Sequence, residues 1–158
     1  LWRREPKYDF GAAVSAGLGL LYAVLATVTG AIFAKIMWGA YWNWDPRQTS
    51  ITILLLIYAA YFALRSAVAD PEKRATLSAV YSILAFVTVP FLMFIVPRIY
   101  FSLHPDVMTN SDPDNSLDSA HLIVLLASLA GFTGLSVWLY SVGTRIEEIR
   151  HRRRQEVL

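Results

Sequence analysis

The sequence predicts an all-α integral membrane protein with four transmembrane helices. Of its 158 residues, 56% are hydrophobic and 16% are charged, whereas soluble domains are usually about 25% charged. The apolar residues fall into four long runs separated by charged or polar segments. The Lys and Arg residues also collect on one side of the topology that these runs define, as in membrane proteins.

The first two predicted spans cover residues 10–34 and 48–64. The first run is free of charge for 25 residues and the second for 17, against the roughly 20 helical residues that cross a bilayer. Thr49 or Ser50 is a candidate N-cap for the second helix, and Asp45 just before them is the alternative that we favour.

The third and fourth predicted spans cover residues 75–97 and 120–143. Pro90 lies inside the third apolar run and predicts a kink there. Between the two spans is a polar loop, residues 98–119, and after the fourth comes a basic tail, residues 144–158. We interpret this tail as an anchor to the anionic lipid of the bilayer and not as a nucleic-acid site.

The charge distribution predicts the orientation of the helices. Excess Lys and Arg marks the cytoplasmic side, and one side of the predicted topology holds eleven such residues while the other holds three: Lys35, Arg47 and Arg98. Both termini are therefore expected to be cytoplasmic. The segment between the first two spans and the 98–119 loop are expected to lie together on the outer side, within a single membrane domain.

Several classes of chemistry are disfavoured. The chain has no Cys, which excludes disulfides, thiolate nucleophiles and covalent thioether attachment of haem. It also lacks a glycine-rich phosphate loop, paired carboxylates on a membrane face, and a nucleophile spaced with a base. We therefore expect a protein that is not an enzyme.

Residues 36–50, called the aromatic segment below, stand out from the aliphatic sequence around them. The segment reads IMWGAYWNWDPRQTS and contains Trp38, Tyr41, Trp42 and Trp44. Such rings are common where a helix meets the lipid headgroups. An interfacial belt does not, however, require the turn-forming Gly39 and Asp45-Pro46, so this combination favours a flat ligand.

Haem and quinone are the two flat ligands that this side of the membrane could bind. Haem would use the aromatic rings, an axial imidazole, and cations for its propionates. His104, in the 98–119 loop, is the favoured iron ligand, because His121 and His151 have simpler interfacial or solvated roles. The candidate propionate partners are Arg47, Arg98 and Lys35.

The aromatic segment resembles the tryptophan-rich "WWD" segment of haem-handling proteins of cytochrome c biogenesis. Within that superfamily the chain is most similar to the CcmC family, with Thr49-Ser50 opening the next helix and Leu103-His104 following the next span. Tyr41 and Asp45-Pro46 also resemble the CcsA and CcmF branch, whose members are cytochrome c synthetases.

The resemblance implies non-covalent, transient binding of haem b at the outer face of a bacterial cytoplasmic (inner) membrane. Haem would then pass to a periplasmic chaperone similar to CcmE. Transporter subunits similar to CcmA and CcmB and a small helper similar to CcmD are the implied partners, and no nucleic acid is expected. His104 matches an axial histidine of the family, and the implied haem platform comprises Trp38, Gly39, Tyr41, Trp42, Trp44 and Asp45.

The chain departs from the family in one respect. The family has six spans and a first axial histidine after the second, whereas this sequence resembles the last four spans and has no histidine before His104. We expect the family's first two helices to be missing from this chain. The alternative functions are a synthetase component that joins haem to apocytochrome thiols, and a structural subunit whose aromatic face docks a partner or a quinone.

Overall fold

The computed structural model describes residues 5–104 and 118–156, and these ranges contain helices joined by turns, without strands. The helices are α1 (Pro6–Trp38), α2 (Pro46–Ala67), α3 (Pro71–Pro90), a π-helical turn (Phe91–Ile95), α4 (Val96–Ile99) and α5 (Ser119–Glu156). Residues 105–117, which make up most of the predicted outer loop, lie outside the described residues, as do both chain ends.

Four stretches are long and apolar enough to cross a membrane: Pro6–Trp38, Pro46–Ala67, Pro71–Ile99 and Ser119–Glu156. The predicted fold class, an all-α membrane protein with four spanning helices, is confirmed. The helices extend beyond the apolar runs because polar residues continue them at their ends. In α5, helical structure continues through the basic tail to Glu156.

The chain divides into two compact units, Leu1–Ser102 and Leu103–Leu158. In the first unit, α2 is the central helix, because it packs against α1, α3, the π-helical turn and α4. The second unit contains His104 and α5.

Proline and aspartate define where the helices of the first unit begin. Pro46 and Pro71 occupy the first positions of α2 and α3, where the missing N–H has no helical partner to lose. The carboxylate of Asp70 accepts hydrogen bonds from the N–H groups of Glu72 and Lys73, at 2.8 and 3.2 Å. The short linkers between these helices are thus fixed by local chemistry.

The third span changes its helical pitch directly after Pro90. Residues Phe91–Ile95 form a π-helical turn, in which the Val96 N–H donates to the Phe91 carbonyl five residues earlier. Pro90 and Pro97 both lack the N–H that an α-helix requires, so the wider turn replaces bonds that the prolines remove. The interruption predicted at Pro90 therefore takes the form of a π-helical turn.

Helices α1 and α2 approach each other closely at Gly19. A Cβ atom at this position would lie 2.2 Å from the hydroxyl oxygen of Tyr58 and 2.7 Å from its Cζ. Gly30 lies further along the same helix, and a Cβ there would have nothing within 4 Å. Gly19 is therefore needed for contact between two helices, and Gly30 is not.

We predict that Gly19→Ala destabilises the protein and that Gly30→Ala does not. The added methyl group at position 19 forces Tyr58 to move, and overpacking of this kind costs about 1–3 kcal/mol. At position 30 the change should be neutral or stabilising by up to about 1 kcal/mol. Unfolding in detergent measures both free energies, and equal effects of the two variants would contradict the prediction.

A half-buried ion pair joins α1 to α2 at the helix ends that lie far from the aromatic segment. The Arg65 guanidinium donates to both carboxylate oxygens of Asp9, with Nη2 2.8 Å from Oδ2. Both side chains are only 15% exposed. Arg65 also lies 5.7 Å from the ring centroid of Tyr61. Separately, α3 is bound to α2 by the Tyr81 hydroxyl, which donates to the Ile57 carbonyl at 2.9 Å.

We predict that Arg65→Met lowers the free energy of unfolding by about 2 kcal/mol, because it leaves the Asp9 carboxylate half-buried without its charged donor. The double variant Asp9→Leu/Arg65→Met should recover much of this loss, since replacing both partners of such a pair is often nearly neutral. Detergent unfolding of both variants provides the comparison. A double variant less stable than the single one would show that Asp9 does not depend on Arg65.

Candidate functional site

The aromatic segment forms the turn between α1 and α2, and its first half is fixed by Gly39. This residue has φ 81°, and its N–H donates to the Lys35 carbonyl at 3.1 Å. The Lys35 ammonium in turn donates to the Gly39 carbonyl at 2.8 Å and lies 5.6 Å from the ring centroid of Tyr41. Left-handed backbone of this kind is the usual way for a helix to end at glycine.

Asp45 fixes the second half of the turn by capping α2. Its carboxylate accepts a hydrogen bond from the Arg47 N–H at 2.9 Å, and the helix begins at Pro46. The N-cap role favoured for Asp45 is confirmed. The alternative caps Thr49 and Ser50 are wrong, because the helix starts at Pro46, two residues before the predicted span, and both residues lie inside it.

The same Asp45 carboxylate is also bound from a distant part of the sequence. The Ser102 hydroxyl lies 3.0 Å from each of its two oxygens, although 57 positions separate the two residues. Asp45 is only 5% exposed, so these bonds form in a largely dry environment, where charge-assisted hydrogen bonds are strong. The end of the third span is thereby attached to the aromatic segment.

Gln48 adds a further bond that closes the turn. Its side-chain oxygen accepts from the Asn43 N–H at 2.8 Å, and the Gln48 side chain is buried. The Thr49 hydroxyl donates to the Trp44 carbonyl at 3.2 Å. The side chains of Asp45, Gln48 and Thr49 therefore bind backbone groups of the turn, while the rings of Tyr41 and Trp44 are mostly exposed.

The rings of the aromatic segment do not form one flat surface. Trp42 and Trp44 meet edge to face, with centroids 5.9 Å apart and planes at 90°. Trp38, the last residue of α1, makes a similar contact with Phe33 at 5.8 Å. Trp42 and Trp38 are half-buried, whereas Tyr41 and Trp44 are 60% and 70% exposed.

Trp44 has an unusual backbone conformation. Its φ is 56°, and no other non-glycine residue in the part of the chain that the structure describes has a positive φ. For a bulky residue this left-handed conformation costs about 1–2 kcal/mol. The ring is mostly exposed, so burial does not compensate for the strain. Strain that folding does not require is a common sign of a functional position.

The predicted propionate partners differ in how they are held. The Lys35 ammonium is bound to the Gly39 carbonyl, as described above. Arg47 is half-buried in the first turn of α2, and Arg98 is exposed in α4. The three candidate cations thus lie at the turn between α1 and α2 and at the end of the third span.

The predicted iron ligand, His104, lies in the second unit and is half-buried. It follows Ser102 by two positions in the sequence. His121 is instead engaged at the start of α5, where its Nδ1 lies 2.6 Å and its backbone N 2.8 Å from Asp118 Oδ1. These bonds lower the pKa of the Asp118 carboxyl below its ordinary value, so this cap persists until the pH falls through that lowered pKa.

Sequence reasoning missed Ser102 and the two rings before it. Tyr100 and Phe101 are 63% and 89% exposed, and they immediately precede the serine that binds Asp45. A serine next to exposed aromatic residues gives no recognisable pattern in a sequence. Its partner is 57 residues away, so the connection depends on how α4 packs against α2.

Comparison with known proteins gives the family. The whole chain, residues 1–158, matches the family described as CcmC, Heme exporter protein C. The chain belongs to the CcmC family. It is 36% identical over 152 residues to Heme exporter protein C of Bradyrhizobium diazoefficiens, covering 96% of this chain and 57% of that protein.

Two further relatives carry the same name. Heme exporter protein C of Paracoccus denitrificans is 34% identical over 97% of this chain and 63% of its own length. The protein of Escherichia coli K12 is 30% identical over 83% of this chain and 52% of its own length. The chain therefore spans about half to two thirds of the length of the relatives that it matches.

The predicted resemblance to CcmC is confirmed by this membership. The family name describes export of haem and not a catalysed reaction, in agreement with the expectation of a transport component that is not an enzyme. Together with the four apolar helices, it identifies a multi-pass membrane protein.

Proposed function

We propose that this chain binds haem through the aromatic segment and His104 and passes it to a periplasmic partner during cytochrome c maturation. Family membership supports haem as the cargo. The observation that carries the proposal is Trp44, whose exposed ring is held on strained backbone within a turn that Gly39, Asp45 and Gln48 fix by hydrogen bonds. An interfacial belt would not require that strain.

The geometry of the segment supports a particular division of roles. Trp42 and Trp44 are perpendicular, so a flat macrocycle would stack on one ring and touch the edge of the other. Tyr41 adds a second exposed ring, and Trp38 with Gly39 sets the direction in which the chain leaves α1. Asp45 would support this surface from beneath, because it is buried and bonded to the backbone.

His104 would supply the axial imidazole, and the cations would bind the propionates. Arg47 and Arg98 carry guanidinium groups, which bind carboxylates with two parallel hydrogen bonds. Lys35 would reach a propionate only by sharing or leaving the Gly39 carbonyl. The haem would be b-type and held transiently, since the chain has no Cys for a thioether bond.

The proposal extends to location and partners. The site would face the outer side of a bacterial inner membrane, with both termini in the cytoplasm and one membrane domain comprising the spans and loops predicted above. The expected recipient is a haem chaperone similar to CcmE. Transporter subunits similar to CcmA and CcmB and a small helper similar to CcmD would complete the assembly.

We predict that His104→Ala abolishes or strongly changes the haem spectrum of the protein. The optical and pyridine-haemochrome spectra of the detergent-purified protein measure bound b-type haem and its ligation. His121→Ala is the matched control, because that imidazole is bound to Asp118 and should leave the spectrum unchanged. A wild-type spectrum in His104→Ala would refute the axial assignment.

We predict that Trp44→Gly separates stability from binding. Glycine removes about 1–2 kcal/mol of backbone strain, which offsets the lost edge-to-face contact with Trp42 of about 0.5–1.5 kcal/mol. The free energy of unfolding without haem should therefore stay within about 1 kcal/mol of wild type, while haem affinity falls about tenfold. Unfolding and haem titration in detergent test the two parts.

The opposite result for Trp44→Gly would contradict a role of this ring in haem binding. A large loss of stability with unchanged haem affinity would show that the ring serves the fold and not the ligand. Trp38→Phe is a useful comparison, because Trp38 packs on Phe33 within α1 and has an ordinary helical backbone.

A further inference from the structure

We infer that Ser102 is a positioning residue for haem binding, acting through its hydrogen bonds to the buried Asp45 carboxylate. This inference rests on the proposed function, since it concerns how the chain that leads to His104 is held. Ser102 would touch neither the iron nor the macrocycle. It would fix the point from which the chain continues to the axial ligand.

Ser102 is attached to a rigid and buried acceptor. Asp45 is 5% exposed and is already fixed by capping α2 through the Arg47 N–H. The Ser102 hydroxyl lies 3.0 Å from both of its oxygens. A rigid, charged acceptor in a dry setting makes a bond of this kind strong and well directed.

Ser102 binds Asp45 at a point where the regular helix of the third span has already ended. The π-helical turn and Pro97 interrupt the regular helix before it, and α4 ends at Ile99. Tyr100 and Phe101, next in the chain, are mostly exposed. The serine hydroxyl therefore joins this end of the third span to the aromatic segment.

Ser102 precedes the proposed ligand His104 by only two positions in the chain. Two residues span at most about 7 Å between Cα atoms, so a fixed Ser102 restricts where the His104 backbone can be. An axial ligand that is restricted before haem arrives loses less conformational freedom on binding. Asp45 would thus serve two purposes, as the cap of α2 and as the acceptor for this anchor.

The first experiment tests the anchor without haem. The chain has no Cys, so Phe101→Cys introduces one site for a nitroxide spin label at a position that is 89% exposed. Adding Ser102→Ala should sharpen the label's spectrum, whereas Ser102→Thr, which keeps the hydroxyl, should not. Ser66→Ala is the matched control, because the Ser66 hydroxyl donates to the Ala63 carbonyl at the other end of α2. Equal label mobility with and without Ser102→Ala would overturn the inference.

The second experiment tests positioning of the ligand. Haem titration of Ser102→Ala should show about tenfold weaker affinity, together with a change of the optical spectrum towards that of His104→Ala. In a His104→Ala background the same change should have no further effect, because no axial imidazole is left to position. Independent, additive losses would show that Ser102 acts in another way and would overturn the inference.

The two experiments separate this inference from the proposed function. If His104→Ala keeps the wild-type spectrum, the proposed function fails, whatever Ser102 does to the spin label. If His104→Ala loses haem while Ser102→Ala binds it with wild-type affinity and spectrum, the proposed function stands and the positioning role of Ser102 is wrong.

Discussion

The arrangement of the aromatic segment in the first unit depends on the hydrogen bonds of the buried Asp45 carboxylate. One carboxylate caps α2, through the Arg47 N–H, and accepts the Ser102 hydroxyl from the end of the third span. A buried carboxylate is unfavourable unless its oxygens are bonded, so the cap and the distant serine stabilise the same charge. Because Ser102 follows α4 and Asp45 belongs to the aromatic segment, this bond couples the positions of the two segments.

The aromatic segment combines a well-bonded turn with exposed rings. Gly39, Asp45 and Gln48 satisfy the backbone at three points, and the turn can therefore keep Trp44 in a conformation that an isolated peptide would avoid. This arrangement suits a site that binds and then releases a large flat ligand. In the proposed haem site the perpendicular rings of Trp42 and Trp44 offer less contact area than a closed pocket would.

The opposite end of the first unit relies on different chemistry. There Asp9 and Arg65 form a bidentate pair between α1 and α2, next to Tyr61. Between the two ends, Gly19 lets the helices approach at Tyr58. The ion pair at this end and the close approach at Gly19 hold α1 on α2, and α2 in turn packs against α3 and α4. This stable base is what allows the turn above it to remain strained.

Much of this protein followed from its sequence. Apolar runs of bilayer length determined the helical membrane fold, because a backbone in lipid must satisfy its own hydrogen bonds. The improbable clustering of Trp38, Tyr41, Trp42 and Trp44 indicated the family. Local rules also predicted the Asp45 cap and an interruption at Pro90, since both depend on neighbours within a few residues. Only the tertiary structure decided the partner of Asp45, the perpendicular arrangement of Trp42 and Trp44, and the contact of Gly19 with Tyr58. These features join residues that are far apart in sequence or depend on side-chain rotation, and neither hydropathy nor spacing encodes them.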